Sequence, residues 1–215
     1  MREAEREGVV KFSLDFLPAP PLPPDLLTEL SAWRKIFHML QLIGQDSRRY
    51  GGFGFGNISC RHRTRQDPDA FIISGTQTGQ FEELTPEHFA TVLRCFPREN
   101  RVVAKGPVQP SSEAMTHATV YGHDPAIQFV IHAHSPQIWK NAEALGFPVT
   151  RPGIPYGTVE MTVEVARLLG NQFAGSSGIF SMGGHEDGIV AFGPSAGQAA
   201  RLLIDALGGA LQVRP

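Results

Sequence analysis

Cysteine is scarce in this chain, which has two, Cys60 and Cys95, among its 215 residues. They lack the Cys-x-x-Cys spacing of thiolate metal sites, and two residues cannot supply the bridges of a disulfide-rich fold. The sequence therefore predicts neither a disulfide framework nor a cysteine-ligated zinc site. Because unpaired thiols are typical of a reducing compartment, we expect a cytoplasmic protein.

An excess of charge of one sign and long apolar runs are also missing. The 19 basic and 21 acidic residues give a net charge of −2, which excludes the strongly basic surface of proteins that bind nucleic acids or anionic membranes. No apolar stretch is long enough to cross a bilayer, and the charged residues 1–7 lack the apolar core of a signal peptide. The 41% of hydrophobic residues suits one globular domain with a sizeable core.

Residues 1–25 predict an N-terminal arm, because charged residues give way to the proline-rich residues 18–24. Proline lacks an amide hydrogen and has a fixed φ, so this segment is incompatible with a helix interior or a central strand. We expect the arm to lie extended over the surface or to be partly disordered, and docking on a neighbouring subunit is a second hypothesis. Residues 26–215 are expected to form one domain.

Apolar residues recur at helical spacing after Asp25, a candidate N-cap, and predict an amphipathic helix over residues 26–45. Residues 58–61 and 71–73 are predicted to form the two strands of a hairpin. Further helices are expected at 110–121, 136–145, 159–169 and 194–207, with a short helical start at 85–89, and further strands at 128–133, 178–181 and 188–192. Because helices and strands alternate, the predicted fold is mixed α/β.

Two histidines share one face of a predicted strand. They are His132 and His134, in the segment Ile131-His132-Ala133-His134. Side chains alternate between the faces of a strand, so both imidazoles project to the same side and can reach one zinc ion with Zn–N bonds of about 2.0–2.1 Å. The alternative is that the ring nitrogens bond backbone carbonyls or carboxylates.

Two further residues extend this site. His185, in the glycine-rich residues 183–188, would complete a three-histidine catalytic site with a position open for water or substrate. Glu113 falls in the first turn of the predicted helix 110–121, where the helix dipole favours a carboxylate by about 0.3–1 kcal/mol. His117 lies one turn later on the same face, and we prefer a structural role for it over the orientation of Glu113.

Three short polar segments offer backbone amides, hydroxyls and a side-chain amide to an anion. They are Gly56-Asn57, Thr78-Gly79 and Ser111-Ser112. A helix N-terminus with such donors binds anions. Turn chemistry or an N-cap is the alternative for each segment taken alone.

Together these residues resemble the class II aldolase/adducin family, the zinc-dependent sugar-phosphate aldolases and epimerases. The resemblance covers about residues 26–210. It rests on ordered blocks: Gly56-Asn57-Ile58-Ser59, Thr78-Gly79, Pro110-Ser111-Ser112-Glu113 with His117, Ile131-His132-Ala133-His134, and Gly184-His185 before a strand that begins at Gly188.

The resemblance implies a three-layer α/β/α fold with a mixed, mostly antiparallel central sheet, and often a homotetramer with active sites at subunit interfaces. It implies that the metal ligands are His132, His134 and His185 and that Glu113 is the catalytic acid/base. It also implies a phosphate cradle formed by Asn57, Thr78, Gly79, Ser111 and Ser112. The implied cofactor is Zn²⁺, although an all-imidazole site accepts other divalent transition metals.

On this basis we expect a metal-dependent carbon–carbon lyase, an aldolase that acts on a small ketose phosphate or a related hydroxycarbonyl compound through a zinc-stabilised enediolate. Glu113 would move the proton on the carbon beside the carbonyl. One alternative is a sugar-phosphate epimerase, dehydratase or decarboxylase that uses the same site. Another is a non-catalytic, adducin-like binding module.

The chain departs from the best-known aldolases of this family in its tyrosines. Those enzymes use two tyrosines, one of them in a C-terminal tail, whereas this sequence contains only Tyr50, Tyr121 and Tyr156 and no aromatic residue at its C-terminal end. Tyr156 matches a shared segment of structural character. The epimerases' lysine near the phosphate is not evident either, since Gln77 precedes Thr78. The sequence therefore leaves the second proton donor without a candidate.

Overall fold

An eight-stranded sheet forms the centre of the structure, a computed structural model that describes residues 9–213. In chain order the strands are β1 (Ser13–Pro18), β2 (Gly44–Gln45), β3 (Gly54–Phe55), β4 (Asn57–Arg61), β5 (Phe71–Ser74), β6 (Phe89–Phe96), β7 (Arg101–Gly106), β8 (Phe129–His134), β9 (Gly178–Ser181) and β10 (Gly188–Gly193). The helices are α1 (Thr28–Met39), α2 (Ala114–His123), α3 (Pro136–Lys140), α4 (Val159–Gln172) and α5 (Ala196–Ala210). Short 3₁₀ turns lie at Pro24–Leu26, Tyr50–Gly52, Pro86–His88 and Pro97–Glu99.

The sheet is mixed and mostly antiparallel. Its strand order is β1-β7-β6-β5-β4-β8-β10-β9, and β2 pairs with β3 in a separate two-stranded sheet. Within the described part of the chain, β1 and β7 run parallel and the other paired strands run antiparallel. Strand β8, which carries the histidine pair, lies between β4 and β10.

Two hydrophobic cores cover the two faces of this sheet. On one face, Val130 of β8 packs in a cluster with Met115 of α2 and Val165 of α4. On the other face, the next residue, Ile131, packs with Phe37 of α1 and Leu203 of α5. Because neighbouring strand residues point to opposite faces, this alternation puts His132 and His134 on the α2 side of the sheet. The predicted three-layer α/β/α fold class is confirmed.

The predicted helix 26–45 is shorter than expected. It begins at Thr28 and ends at Met39, and residues 44–45 form strand β2 instead. The backbone turns away at Gln41, whose φ is +57°, and the amides of Leu42 and Ile43 both bond the carbonyl of Phe37. The apolar periodicity continued past the end of the helix because Leu42 and Ile43 are buried core residues on the connecting turn.

Several elements were not predicted or begin at other residues. Strands β6 and β7, at residues 89–96 and 101–106, were not predicted, because apolar and polar residues do not alternate strictly along either segment. Residues 13–18 of the predicted arm form β1, an edge strand that ends at Pro18 and pairs with β7 of the same chain, while residues 1–8 lie outside the described residues. Helix α2 begins at Ala114, so Glu113 occupies its N-cap position rather than its first turn. No helix among residues 9–213 is long and apolar enough to span a bilayer.

A buried carboxylate anchors the segment between α3 and α4. Glu164 of α4 is 0% exposed and accepts hydrogen bonds from Arg167 Nη2 at 2.7 Å, Arg151 Nη2 at 2.8 Å and the Arg151 amide at 2.9 Å. The bonds from Arg167 and then Arg151 outweigh burial and lower the pKa of Glu164 from its ordinary 4.5 to about 2. The ionised form therefore ties Arg151, in the segment between α3 and α4, to α4.

We predict that Glu164→Gln lowers the free energy of unfolding by about 2 kcal/mol at pH 7, because charge-assisted hydrogen bonds are lost from a buried site. Since the folded pKa lies below the ordinary value, this contribution is complete above about pH 4.5 and is lost as the pH falls toward 2. Urea denaturation at pH 7 and at pH 3 measures it. Glu160→Gln, an exposed change on the same helix, is the control, and an equal loss in both variants would contradict the prediction.

Candidate metal centre and active site

Strand β8 presents two histidines side by side in a dry environment. His132 and His134 are both 0% exposed, and their Nε2 atoms lie 3.1 Å apart. His132 Nδ1 donates to the carbonyl of Ile189 on β10 at 3.2 Å, which leaves Nε2 as the ligand atom of this ring. Two nitrogens bound to one tetrahedral ion at about 2.0–2.1 Å are about 3.3–3.4 Å apart, so the observed separation suits a shared ion.

The third histidine reaches the pair from the turn between β9 and β10. His185 is 3% exposed, and its amide and carbonyl close the turn through bonds to Met182 and Gly188 at 3.1 and 3.0 Å. Gly184 is required here, because a Cβ at this position would lie 2.1 Å from the carbonyl oxygen of Ile154. Ligand atoms of the three histidines all lie within 4.8 Å of one another.

The electrostatic environment keeps the histidine pair in the form that binds metals. Burial, followed by the proximity of His185, lowers the pKa of both His132 and His134 well below the usual value of 6.5. Neutral imidazoles are the ligand form. The three predicted ligands are therefore brought together with a geometry and a donor set that fit one divalent ion.

Glu113 lies beside this cluster. Its carboxyl group is 1% exposed, and Oε1 is 3.6 Å from Nδ1 of His185. The N-cap position at the start of α2 places it close to the positive end of the helix dipole. A buried carboxylate next to three imidazoles is an arrangement that a bound cation stabilises.

His117 is not part of the cluster. Its Nδ1 is 2.7 Å from Ser59 Oγ, which in turn lies 2.8 Å from the Tyr121 hydroxyl. Burial lowers the pKa of His117 to about 3, so the ring is neutral. This buried chain of hydrogen bonds joins α2 to β4 and agrees with the structural role preferred from the sequence.

The predicted phosphate residues meet around one small polar cavity. It is lined by all five of them, Asn57, Thr78, Gly79, Ser111 and Ser112, together with Gly54, Gly56 and residues 75–77. Its volume is about 20 Å³, enough for about one water molecule, so the body of any substrate must lie outside it. A Cβ at Gly79 would lie 2.1 Å from the carbonyl oxygen of Gly44, which explains the glycine.

The cavity adjoins the metal cluster through the sheet. Asn57 is the register partner of His132 across the β4–β8 pairing, and Asn57 Oδ1 is buried without a hydrogen-bond partner among the described residues. Ser111 Oγ accepts from the amide of Glu113 at 3.3 Å. The cavity and the candidate acid/base therefore share the N-terminus of α2.

A buried arginine behind the cavity was missed by the sequence reading. Arg34 of α1 is 1% exposed and donates to the carbonyls of Thr78, Gly79 and Glu82 at 3.1, 3.3 and 2.8 Å. Burial lowers the pKa of Arg34 to about 10, which keeps it charged. The sequence contains one indication of this role: Arg34 is a charged residue at a position of α1 that faces the core, four residues after Leu30 and three before Phe37.

Two of the three tyrosines contact metal-ligand candidates, which the sequence did not reveal. The ring of Tyr156 stacks on His185 with 4.4 Å between centroids, and Lys11 Nζ lies 3.7 Å from the Tyr156 centroid. The ring of Tyr50 meets His134 edge-on at 4.7 Å. The contacts of Tyr156 agree with its expected structural character.

A larger cavity, of about 960 Å³, lies elsewhere between α2, α4 and strands β5 and β6. Its walls include Arg61, Phe96 and Tyr121 and contain none of the predicted site residues. The volume of a cavity therefore does not identify the candidate site, because the predicted site residues lie at the small polar cavity and the histidine cluster.

Comparison with known proteins gives one family match, which covers most of the chain. The family profile described as "Class II Aldolase and Adducin N-terminal domain" matches residues 37–206, which include every predicted site residue. A search of curated proteins found no match.

Solved structures with this fold include three aldolase-type proteins. L-fuculose 1-phosphate aldolase is 21% identical, with a TM-score of 0.63 over 88% of this chain and 84% of that chain. YgbL from Escherichia coli, described as a candidate aldolase/epimerase/decarboxylase, is 18% identical, with a TM-score of 0.64 over 88% of each chain. A sugar-phosphate aldolase from Thermotoga maritima is 15% identical, with a TM-score of 0.62 over 89% of this chain and 97% of that chain. At these identities the similarity establishes the fold.

We predict that the purified protein binds one divalent transition-metal ion per chain at the histidine cluster. Metal at about one hundred times its dissociation constant adds about 2.7 kcal/mol of stability, so removal by a chelator should lower Tm by about 5–10 °C. His134→Ala should abolish the bound metal measured by elemental analysis, whereas His123→Ala, at the far end of α2, should retain it. Equal metal content in both variants would place the ion elsewhere.

Proposed function

The chain belongs to the class II aldolase and adducin family, and on that premise we propose that it is a metal-dependent aldolase, a carbon–carbon lyase. Its substrate would be a small ketose phosphate or a related hydroxycarbonyl compound. The observation that carries this proposal is the convergence of three buried histidines on one point, within 4.8 Å, beside the carboxylate of Glu113.

His132, His134 and His185 would hold the metal, for which we propose Zn²⁺. When bound, the ion supplies Lewis-acid stabilisation of the negative charge that develops at the substrate carbonyl. Three neutral imidazoles leave the full charge of the ion available for this purpose. Their burial excludes bulk water, which strengthens the electrostatic interactions at the site.

Glu113 would act as the acid/base of the reaction. Its carboxyl group is buried next to His185, 3.6 Å from Nδ1, and a carboxylate in such a position can take or return a proton at the carbon beside the carbonyl. The α2 N-terminus, where Glu113 is the N-cap, fixes the residue in the backbone of a buried helix rather than on a mobile loop.

The residues that line the polar cavity would bind the phosphate group of the substrate at the opening of the cavity, since the cavity itself has room for about one water molecule. Asn57, Thr78, Gly79, Ser111 and Ser112 supply the donors, and the N-terminus of α2 adds its dipole. Anchoring one end of the substrate there orients the reacting carbon relative to Glu113, which lowers the entropic cost of reaching the transition state.

A second candidate function is a sugar-phosphate epimerase, dehydratase or decarboxylase that uses the same metal and carboxylate. It is favoured by the contacts of the tyrosines, since the best-known aldolases of the family use two tyrosines in the reaction. Here Tyr121 is bonded to Ser59 within the core, and Tyr50 and Tyr156 contact the candidate ligands His134 and His185. A non-catalytic, adducin-like binding module is less favoured, since such a module has no need for buried ligands and an acid/base. Metal-loaded protein screened over short ketose phosphates distinguishes these functions by aldehyde release, loss of water or release of carbon dioxide.

We also propose a cytoplasmic homotetramer. Both cysteines are free thiols, as expected in a reducing compartment. Ile36, Met39 and Leu40 are 37%, 69% and 42% exposed at the end of α1, and such a grouped apolar surface suits a subunit contact. Light scattering on the purified protein measures the assembly.

We predict that Glu113→Gln lowers kcat by about 10²–10⁴-fold, because the amide cannot exchange the proton, while bound metal stays at one ion per chain. Steady-state assays combined with elemental analysis measure both quantities. Glu143→Gln, which changes an exposed carboxylate in the turn after α3, is the control. A Glu113→Gln enzyme with normal kcat would remove Glu113 from the mechanism.

We predict that Asn57→Ala raises KM for a phosphorylated substrate about tenfold, since a hydrogen bond to a charged group contributes about 1.5–3 kcal/mol. KM for the same compound without its phosphate should stay within about twofold of wild type. Asn171→Ala, an exposed asparagine of α4, provides the matched control. An equal rise for both substrates would show that Asn57 does not contact the phosphate.

A further inference from the structure

Two loops meet beside the histidine cluster at a pair of unusual backbone positions. Tyr50, in the segment between β2 and β3, has a φ of +50°, and Asp187, in the turn that carries His185, has a φ of +63°. Left-handed backbone is unfavourable for residues with a side chain and persists where surrounding contacts require it. Here the two residues are joined to each other, since the Tyr50 hydroxyl donates to Asp187 Oδ2 at 2.6 Å.

Tyr50 also contacts a metal-ligand candidate on the central strand. Its ring packs edge-on against the imidazole of His134, with centroids 4.7 Å apart and planes at 69°. Arg49 Nη2 donates to the Tyr50 hydroxyl at 2.7 Å and lies 3.4 Å from the carbonyl oxygen of His134. One tyrosine therefore touches the end of β8 with its ring and the β9–β10 turn with its hydroxyl.

The two elements that Tyr50 connects carry different histidines. His132 and His134 belong to β8, and His185 lies two residues before Asp187. A second connection runs between the same elements, because the amide of Ser135 donates to the carbonyl of Asp187 at 2.9 Å. The backbone bond holds the base of the turn, and the Tyr50 hydroxyl holds the Asp187 side chain.

The hydrogen bonds of the Tyr50 hydroxyl distinguish this residue from one that only packs through its ring. Tyr50 is half-buried and also meets Phe55 at 5.1 Å between ring centroids, a contact that phenylalanine would make equally well. The phenol oxygen, by contrast, bonds two charged side chains of two different segments, Arg49 and Asp187. Hydrogen bonds of this kind orient metal ligands from outside the coordination sphere.

We propose that Tyr50 is a positioning residue of the metal centre, which fixes the spacing between the two histidines of β8 and His185 through its ring contact with His134 and its hydrogen bond to Asp187. This inference rests on the proposed function in one respect, namely that the three histidines hold a divalent ion. It assigns Tyr50 no contact with the substrate and no proton transfer.

The test uses Tyr50→Phe, which keeps the ring and removes the hydroxyl, and Asp187→Asn, which keeps the shape and removes the charge. Zn²⁺ affinity is measured by competition with a chromophoric chelator, and the visible spectrum of the Co²⁺-loaded protein reports ligand geometry. Both variants should bind Zn²⁺ about 10–100-fold more weakly, with an altered cobalt spectrum. Tyr121→Phe, which removes a phenol bonded to Ser59 rather than to the site, should change neither quantity.

Hydrogen exchange of the metal-free proteins tests the same inference without the ion. Tyr50→Phe should speed exchange at residues 183–188 and at Ser135, whose amide bonds Asp187, and leave the strands β5 and β6 unchanged. Wild-type protein that binds no metal would overturn the proposed function, and the exchange result would still decide the role of Tyr50. Unchanged affinity, cobalt spectrum and exchange in Tyr50→Phe, or equal losses in Tyr121→Phe, would overturn the inference.

Discussion

The antiparallel pairing of β8 with β4 on one side and β10 on the other is the constraint on which the candidate site depends. It sets His132 opposite Asn57 and His134 opposite Gly188. Because residues two apart share a face of a strand, both imidazoles point to the α2 side, and the same register brings the cradle and the His185 turn to their two flanks. A slip of one residue would turn both histidines toward the opposite core, so the pairing register of β8 determines on which side of the sheet the histidines lie.

Burial then determines what this cluster can do. Four polar side chains, the three histidines and Glu113, are each at most 3% exposed, and a buried carboxylate is stable as the charged form only where a positive charge lies close to it. A divalent cation held by neutral imidazoles is the simplest source of that charge, and the donor set matches its preferences. Under the proposed function, a bound cation would offset the cost of burying this polar cluster, and such clusters of buried titratable groups are typical of functional sites.

The parts of this arrangement that depend on local sequence were predictable. The strand pattern around residues 128–133, the positions of β9 and β10 and the three histidines follow from periodicity and residue type. Long-range geometry was not predictable in the same way. The turn at Gln41 interrupts an apolar periodicity that continues on both sides of it. Arg34 donates hydrogen bonds to a loop more than forty residues away in the sequence. Tyr50 bonds Asp187, which is 137 positions away. Strands β6 and β7 belong with these, because apolar and polar residues do not alternate strictly along them and their strand structure depends on pairing with β5 and with each other.

The contrast between the rigid sheet and the segments around it has a consequence for the choice of reaction. The candidate metal ligands and the residues around the polar cavity lie mainly on the sheet, on α2 and on one tight turn, which pack against two cores and tolerate little change. The segments that approach the cluster from outside, residues 46–53 and 151–157, are connecting segments whose side chains contact it, Tyr50 and Arg49 from the first and Tyr156 from the second. Loops on a rigid scaffold are where related enzymes differ in reaction. Under the proposed function, carbonyl activation is therefore set by the sheet, and the choice among aldol cleavage, epimerisation and decarboxylation depends on what these loops place opposite Glu113.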